Sequence, residues 1–306
     1  MISIFIIEFS GSCYSYAGWV IITIVIIDAH THVFPPEMIA RRAELTADPC
    51  FGELYSQSRA KLATAEELVS SMDEAGIDLA VVAAIGWSSH RLCCEHNDYL
   101  MQAVNRFPGR LVGLGMVQPK ETQNALAEIE RINSGGLSGI GEFRPDLQAL
   151  ELSDENCIQP FMQLLRELDM VLMLHASEPV GHRYPGKGGL TPEVLYPFIE
   201  QYADNKIVLA HWGGGLPFYE LQPEVNRVLG KVYYDSAATP FLYNPGIYRL
   251  AVELAGADRI LFGSDYPLLA QQRALQQLTE FPLSSEARNR ILALNALDLF
   301  GRMGPA

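Results

Sequence analysis

The sequence predicts a single (β/α)8 barrel, the TIM-barrel fold, in which eight parallel strands are ringed by helices. Three observations carry this. The chain has 306 residues, a length that suits one large α/β barrel. Eight short apolar runs, several rich in Val and Ile, alternate with amphipathic helical stretches, as repeated β/α units require. Histidines or acids stand at the ends of five of those runs, where barrel strands converge on one face. The rival, an open doubly wound sheet, wants a glycine fingerprint after its first strand. DAHTHVFPP (28–36) has no glycine.

The first strand is read over 22–28 (ITIVIID). The others follow at 78–85, 110–117, 137–143, 170–175, 206–211, 231–236 and 259–264. The clearest helix opens on Thr64-Ala65-Glu66-Glu67, a capping box, and closes at Gly76. Further helices are expected over 90–106, 121–133, 154–169, 191–203, 217–229 and 244–256, with a last one from Ser284 to Phe300. The stretches 34–63 and 176–190 are the loops long enough to shape a pocket. No composition break marks a second domain, so 22–306 reads as one barrel. Residues 1–21 read as a non-essential apolar extension. No Lys or Arg precedes the apolar stretch, Glu8 lies inside it, and Gly11, Ser12, Ser15 and Gly18 interrupt it.

At 49% hydrophobic and 19% charged residues, the chain has the means for a substantial core. Lys and Arg number 22 against 36 Asp and Glu, a net charge of −14, and no basic stripe is present. Nucleic acid and membrane are therefore not expected partners; a small-molecule substrate and a homo-oligomer, a dimer, are. Five scattered cysteines, odd in number and without C-x-x-C spacing, read as free thiols of a cytoplasmic protein.

Strand 1 ends Asp28-Ala29-His30-Thr31-His32, strand 4 Glu142-Phe143-Arg144, strand 5 His175, strand 6 His211 and strand 8 Ser264-Asp265. Side chains two apart on a strand point the same way, roughly 7 Å apart along the chain. His30 and His32 can therefore aim two imidazoles at one ion. His175 would add a third nitrogen and Asp265 a carboxylate oxygen, a set that suits Zn²⁺ or a similar divalent ion. A lone His-x-His or a lone core histidine is weak evidence; four of seven histidines at strand ends, with an acid at the eighth, is not. His90 and His96 read as a surface cap and a helix face.

Gly181 to Gly188 resembles a phosphate loop, but Gly188 follows Lys187 where Ser or Thr should hold Mg²⁺. Pro185 also removes a backbone donor. The stretch is better read as the loop over the barrel mouth, with His182, Arg183 and Lys187 as candidate substrate contacts and Glu178 as an ion-pair partner that locks it. No G-x-S-x-G elbow is present, which disfavours an ordinary serine hydrolase. Arg144 either binds a substrate carboxylate or forms a structural ion pair.

DAHTH, a strand-5 histidine, HWGGG (211–215), GSDYP (263–267) and HNDYLMQAVNRFPGRLVGLGMVQP (96–119) resemble the amidohydrolase superfamily, from strand 1 to the last helix. They are most similar to its amidohydrolase-related branch, which includes aminocarboxymuconate-semialdehyde decarboxylase, similar acid decarboxylases and lactone hydrolases. The resemblance implies His30, His32, His175 and Asp265 as metal ligands, and His211 as a second-metal ligand or catalytic group. Glu142 departs from the decarboxylase pattern and looks like the strand-4 glutamate of TatD-type hydrolases, a bridging ligand. One or two ions, Zn²⁺ first, are expected.

The expected function is hydrolysis of an ester, lactone or amide by a metal-activated water. The ion would lower the pKa of its water from 15.7 toward roughly 7. Asp265 would accept the water's proton, and His211 would stabilise the oxyanion. The alternative is non-oxidative decarboxylation of a small carboxylic acid on the same scaffold.

Overall fold

The computed structural model describes residues 25–301. The apolar extension, Cys13 and the first residues of the expected first strand lie outside that range. Eight parallel strands run in sequence order: β1 (Ile27–Thr31), β2 (Leu79–Ala83), β3 (Leu111–Gly115), β4 (Gly139–Phe143), β5 (Val171–Leu174), β6 (Lys206–Leu209), β7 (Tyr233–Asp235) and β8 (Ile260–Leu261). The barrel closes through backbone bonds between the two edges, Ala29 N to Phe262 O (2.7 Å), His32 N to Tyr266 O (2.7 Å) and Asp265 N to His30 O (2.9 Å). The single-domain (β/α)8 architecture is the one expected.

Alternate strand residues divide between two apolar clusters. Ile27, Ala29, Val81, Leu114, Met173, Val208 and Leu261 pack with Ala296 and Leu299 of the last helix. Ala80, Val82, Ile140, Leu172, Leu209 and Ile260 pack outward against the helices. This two-sided burial explains why the strands read as continuous apolar runs.

Two strands break that alternation. Between Asp28 and Thr31, β1 advances three residues while β2 advances two, Ala80 to Val82. Between Ile140 and Phe143, β4 does the same against Leu172 and Leu174 of β5. Each extra residue is a β-bulge, which re-aims the side chains that follow it. Without the bulge in β4, Glu142 would share the outward face of Ile140.

The capping box appears as expected: Thr64 Oγ1 accepts from Glu67 N, Glu67 accepts from Thr64 N, and Gly76 closes the helix Ala65–Ala75 at φ 71°. Helices His90–Arg106, Thr122–Ser134, Glu155–Glu167, Pro192–Gln201 and Gly246–Ala255 follow the expected ranges closely. The expected helix 217–229 is split into Leu216–Leu221 and Pro223–Leu229, because Pro223 starts a new helix at its first turn. The stretch 34–63 is not a plain loop: it contains helices Pro36–Ala40, Arg42–Leu45 and Pro49–Tyr55. Helix Gln271–Thr279 was also hidden, since polar Gln271 and Gln277 occupy its buried face. His96, expected on a helix face, lies on the buried face of helix His90–Arg106. No helix of the described residues is long and apolar enough to cross a membrane.

Candidate active site

The carboxyl ends of the strands surround one cavity of about 630 Å³. At its base, His30 and His32 leave the β1 bulge with their Nε2 atoms 3.0 Å apart. The other nitrogen of each ring is committed. His30 Nδ1 donates to Asp235 Oδ2 (2.8 Å), and His32 Nδ1 donates to the Ala83 carbonyl (2.8 Å). An acceptor at Nδ1 leaves a lone pair at Nε2 in the neutral ring. In the neutral rings two lone pairs would face each other at 3.0 Å, so a cation, a proton or a metal ion, stands between them. Two ligand atoms at bonding distance from one divalent ion sit roughly 3.0–3.4 Å apart, so the pair fits.

Oxygens complete the set. Asp265 Oδ1 lies 3.5 Å from His32 Nε2 and 4.0 Å from His30 Nε2. Glu142 Oε2 lies 3.8 Å and 3.9 Å from the same two nitrogens. Two overlapping groups of potential ligands result, His30–His32–Asp265 and His30–Glu142–His211.

His175, the expected third nitrogen, faces Glu142. Its Nδ1 lies 2.5 Å from Glu142 Oε1, and its Nε2 bonds Ser177 Oγ at 3.1 Å. His211 Nε2 grips the same Glu142 oxygen at 3.1 Å.

The electrostatics agree with a cation-seeking site. Burial opposes charge on His30, but Asp235, Glu142 and Asp265 outweigh it and hold its pKa up at about 10. Burial likewise opposes charge on His211, yet its bond to Glu142 raises it to about 9. Glu142 and Asp265 stay below the usual carboxylate range despite burial, because the surrounding imidazoles favour their ionised forms. His175 is pushed down to about 4, first by burial and then by Arg144.

The chain after β6 supplies His211 from an unusual backbone. His211, Trp212, Gly213, Gly214 and Gly215 all have positive φ, from 55° to 95°. Left-handed stretches cost L-residues about 1–2 kcal/mol each, so this turn is held by specific bonds. His211 N donates to Asp235 Oδ1 (2.9 Å), and Trp212 Nε1 donates to Thr239 Oγ1 (2.9 Å). A Cβ at Gly214 would fall 2.4 Å from the Ser177 carbonyl oxygen.

Of the expected substrate contacts, Arg144 and His182 line the cavity. Arg144 is committed to a structural pairing: its Nε and Nη2 donate to Asp146 at 3.1 and 3.0 Å, and its Nη1 donates to the Gly186 carbonyl. Lys187 and Arg183 are outside the lining. Lys187 Nζ is drawn to the carbonyls of Val180 and His182, and the Arg183 side chain is exposed. Glu178 locks this loop by accepting from Tyr184 OH (2.8 Å), not through a cation.

Several cavity residues escaped the sequence reading: Tyr55, Arg59, Lys61, Tyr184, Phe241 and Leu268. Arg59 and Lys61 sit in a polar stretch with no periodic cue. Asp235 had a usable signal, an acid closing the seventh strand in KVYYDS (231–236).

Ion-seeking side chains converging from separate strands at the carboxyl face put this molecule among the metal-dependent barrel enzymes. The chain belongs to the amidohydrolase family: the model described as Amidohydrolase matches residues 27–302. It is 22% identical to 2-amino-3-carboxymuconate-6-semialdehyde decarboxylase of Dictyostelium discoideum, over 94% of this chain and 86% of that protein. It is 24% identical to gamma-resorcylate decarboxylase of a Polaromonas species, over 88% of this chain and 96% of that protein. Its fold matches the structure of 5-carboxyvanillate decarboxylase from Novosphingobium aromaticivorans, complexed with manganese and 4-hydroxy-3-methoxy-5-nitrobenzoic acid. That match has a TM-score of 0.75 at 22% identity, covering 90% of this chain and 96% of that chain.

Proposed function

We propose that this enzyme is a divalent-metal-dependent, non-oxidative decarboxylase of a small unsaturated or aromatic carboxylic acid. One observation carries the choice over hydrolysis of an ester, lactone or amide. The two relatives aligned along 94% and 88% of this chain are both decarboxylases. The cavity supports the reading. Tyr55, Tyr184, Phe241 and Leu268 give it walls for a flat, largely apolar body, and the charged groups gather at its base.

A divalent ion held by His30, His32, Asp265 and Glu142 would supply a Lewis acid that withdraws electron density from the substrate. His30 has one free ring nitrogen, and the two potential ligand groups share it, so the proposal is for one ion. Manganese, present in the 5-carboxyvanillate enzyme, joins the expected zinc as the ion to test. His175 and His211 fix Glu142 from two sides. Asp265, at the cavity edge of the site, relays a proton from solvent to the carbon that bears the carboxylate. That carbon's bond to the carboxylate then breaks, CO₂ leaves, and the bond's electron pair returns to the unsaturated system that supplied the new C–H bond, so hydrogen stands in the place of the departed group. His211, whose bond to Glu142 favours its charged form, offsets negative charge that develops beside that residue. Arg59 and Lys61 are exposed at the rim and draw an anionic substrate inward, while Arg144 remains bound to Asp146.

The test is CO₂ release from a panel of hydroxybenzoates and unsaturated acids, run beside esters, lactones and amides, with metal-stripped and manganese- or zinc-reloaded protein. Metal-dependent CO₂ release is expected, falling about 10²–10⁴-fold in Asp265→Asn. Turnover of a lactone, ester or amide with no CO₂ released from any acid would overturn the proposal.

A further inference from the structure

We infer that Asp235 is a positioning residue that locks His30 in its ion-binding tautomer and ties it to the turn carrying His211. The inference rests on the metal-site reading above. Asp235 is fully buried at the carboxyl end of β7. Its Oδ2 accepts from His30 Nδ1 at 2.8 Å. Its Oδ1 accepts from His211 N at 2.9 Å and from Ala237 N at 3.0 Å. One side chain thus joins the ends of β1, β6 and β7.

The chemistry of the carboxylate decides what this does. An ionised carboxylate only accepts, so the proton on the neutral His30 ring must lie on Nδ1 and the lone pair on Nε2, which faces His32. His32 reaches the same tautomer through a backbone carbonyl, that of Ala83, which no side-chain substitution alters. His30 depends on Asp235 alone. Partners of this kind orient ligating imidazoles and raise their basicity, and their loss typically costs about 10–100-fold in metal affinity. The second oxygen acts on geometry. His211 opens the left-handed turn at φ 55°, and Oδ1 catches its amide as the chain leaves β6.

Asp235→Asn separates these effects at nearly constant shape. The amide oxygen keeps both backbone bonds, and the NH₂ group then faces His30 Nδ1. A donor there forces His30 to accept at Nδ1 and to carry its proton on Nε2, where the ion needs a lone pair. The measurement is the Kd for Mn²⁺ and Zn²⁺ by chelator competition, on wild type, Asp235→Asn and His32→Ala, with the visible spectrum of the Co²⁺-loaded proteins and the Tm of each metal-free form. The expected result is a roughly 10–100-fold weaker Kd and an altered cobalt spectrum for Asp235→Asn, with a metal-free Tm near wild type. Asp235→Ser, assayed where circular dichroism shows it folded, is the second variant and should weaken binding at least as much. Unchanged affinity in either folded variant overturns the inference. A wild type that binds neither ion would instead overturn the metal-site reading on which it rests.

Discussion

His30 and His96 are both fully buried, and their neighbours give them opposite chemistry. His30 faces carboxylates and is held up at about 10. His96 lies among aromatic rings, stacked on Phe34 with ring centres 5.1 Å apart. It accepts from Trp87 Nε1 (2.9 Å) and donates to the Val33 carbonyl (2.8 Å), and burial pushes its pKa down to about 4. An unfolded chain protonates this histidine near its ordinary value of 6.5, whereas the native chain does so only near 4. Between those values the unfolded state holds more protons, so stability is full above pH 6.5 and falls as the pH drops toward 4. The loss attributable to His96 is about 3 kcal/mol. His96→Gln keeps a donor for Val33 and does not titrate. The difference in unfolding free energy between wild type and this variant, measured in denaturant at pH 7 and pH 4, should shrink by that amount. A constant difference would show that His96 does not govern this acid limb.

At the scale of elements, the site is made where regular structure is interrupted. Two bulges bring His30, His32 and Glu142 to one cluster, and a left-handed turn brings His211. The turn has a critical contact. Gly214 stands at φ 62°, and any Cβ there meets the carbonyl of Ser177, whose hydroxyl bonds both His175 and Gly188 N. Gly214→Ala should therefore cost about 1–3 kcal/mol in denaturant unfolding and lower turnover by displacing His211 and His175 together. A variant with native stability and turnover would remove the turn from the list of site-defining elements. These interruptions also mark the limit of what the sequence reveals. Apolar runs and the capping box expose the strands and the Ala65–Ala75 helix, because period and cap chemistry are local. The strand ends expose His30, His32, Glu142, His175, His211 and Asp265 as a group. The bulges are not local: they depend on pairing with a neighbouring strand, so the pairing of His175 with Glu142 could not be read. The same holds for Arg144, whose choice of Asp146 over a substrate follows from the fold of the 176–190 loop. Helix Gln271–Thr279 stayed hidden because its buried polar residues satisfy tertiary bonds, Gln271 Nε2 to Asp28 Oδ2 among them.

Over the whole molecule, stability and function draw on different parts of the barrel. Behind β7, Glu220 and Arg259 form a buried pair, joined by Tyr234 OH (2.7 Å) and Asn226 Nδ2 (2.9 Å). Glu220→Ala would leave Arg259 buried without its counter-charge, at a cost of about 3–5 kcal/mol. Neither residue lines the cavity, so metal affinity at low temperature should be unchanged; a loss of metal binding in the folded variant would contradict this separation. The ion site works in the opposite sense. Its proposed ligands come from the ends of β1, β4 and β8, which only the folded barrel brings together, so a bound ion adds stability that the unfolded chain cannot share. At free metal one hundred times Kd, that linkage amounts to about 2.7 kcal/mol. For a domain of this size it corresponds to a Tm shift of roughly 4–5 °C. Chelation of the metal-loaded protein should lower Tm by this amount, and restored Mn²⁺ or Zn²⁺ should reverse the change. The Glu220→Ala protein, though less stable, should show the same metal-dependent shift, because its lesion lies outside the site. His32→Ala should show almost none. A wild-type Tm insensitive to chelation, in protein shown by elemental analysis to have carried an ion, would place that ion outside the strand-end cluster.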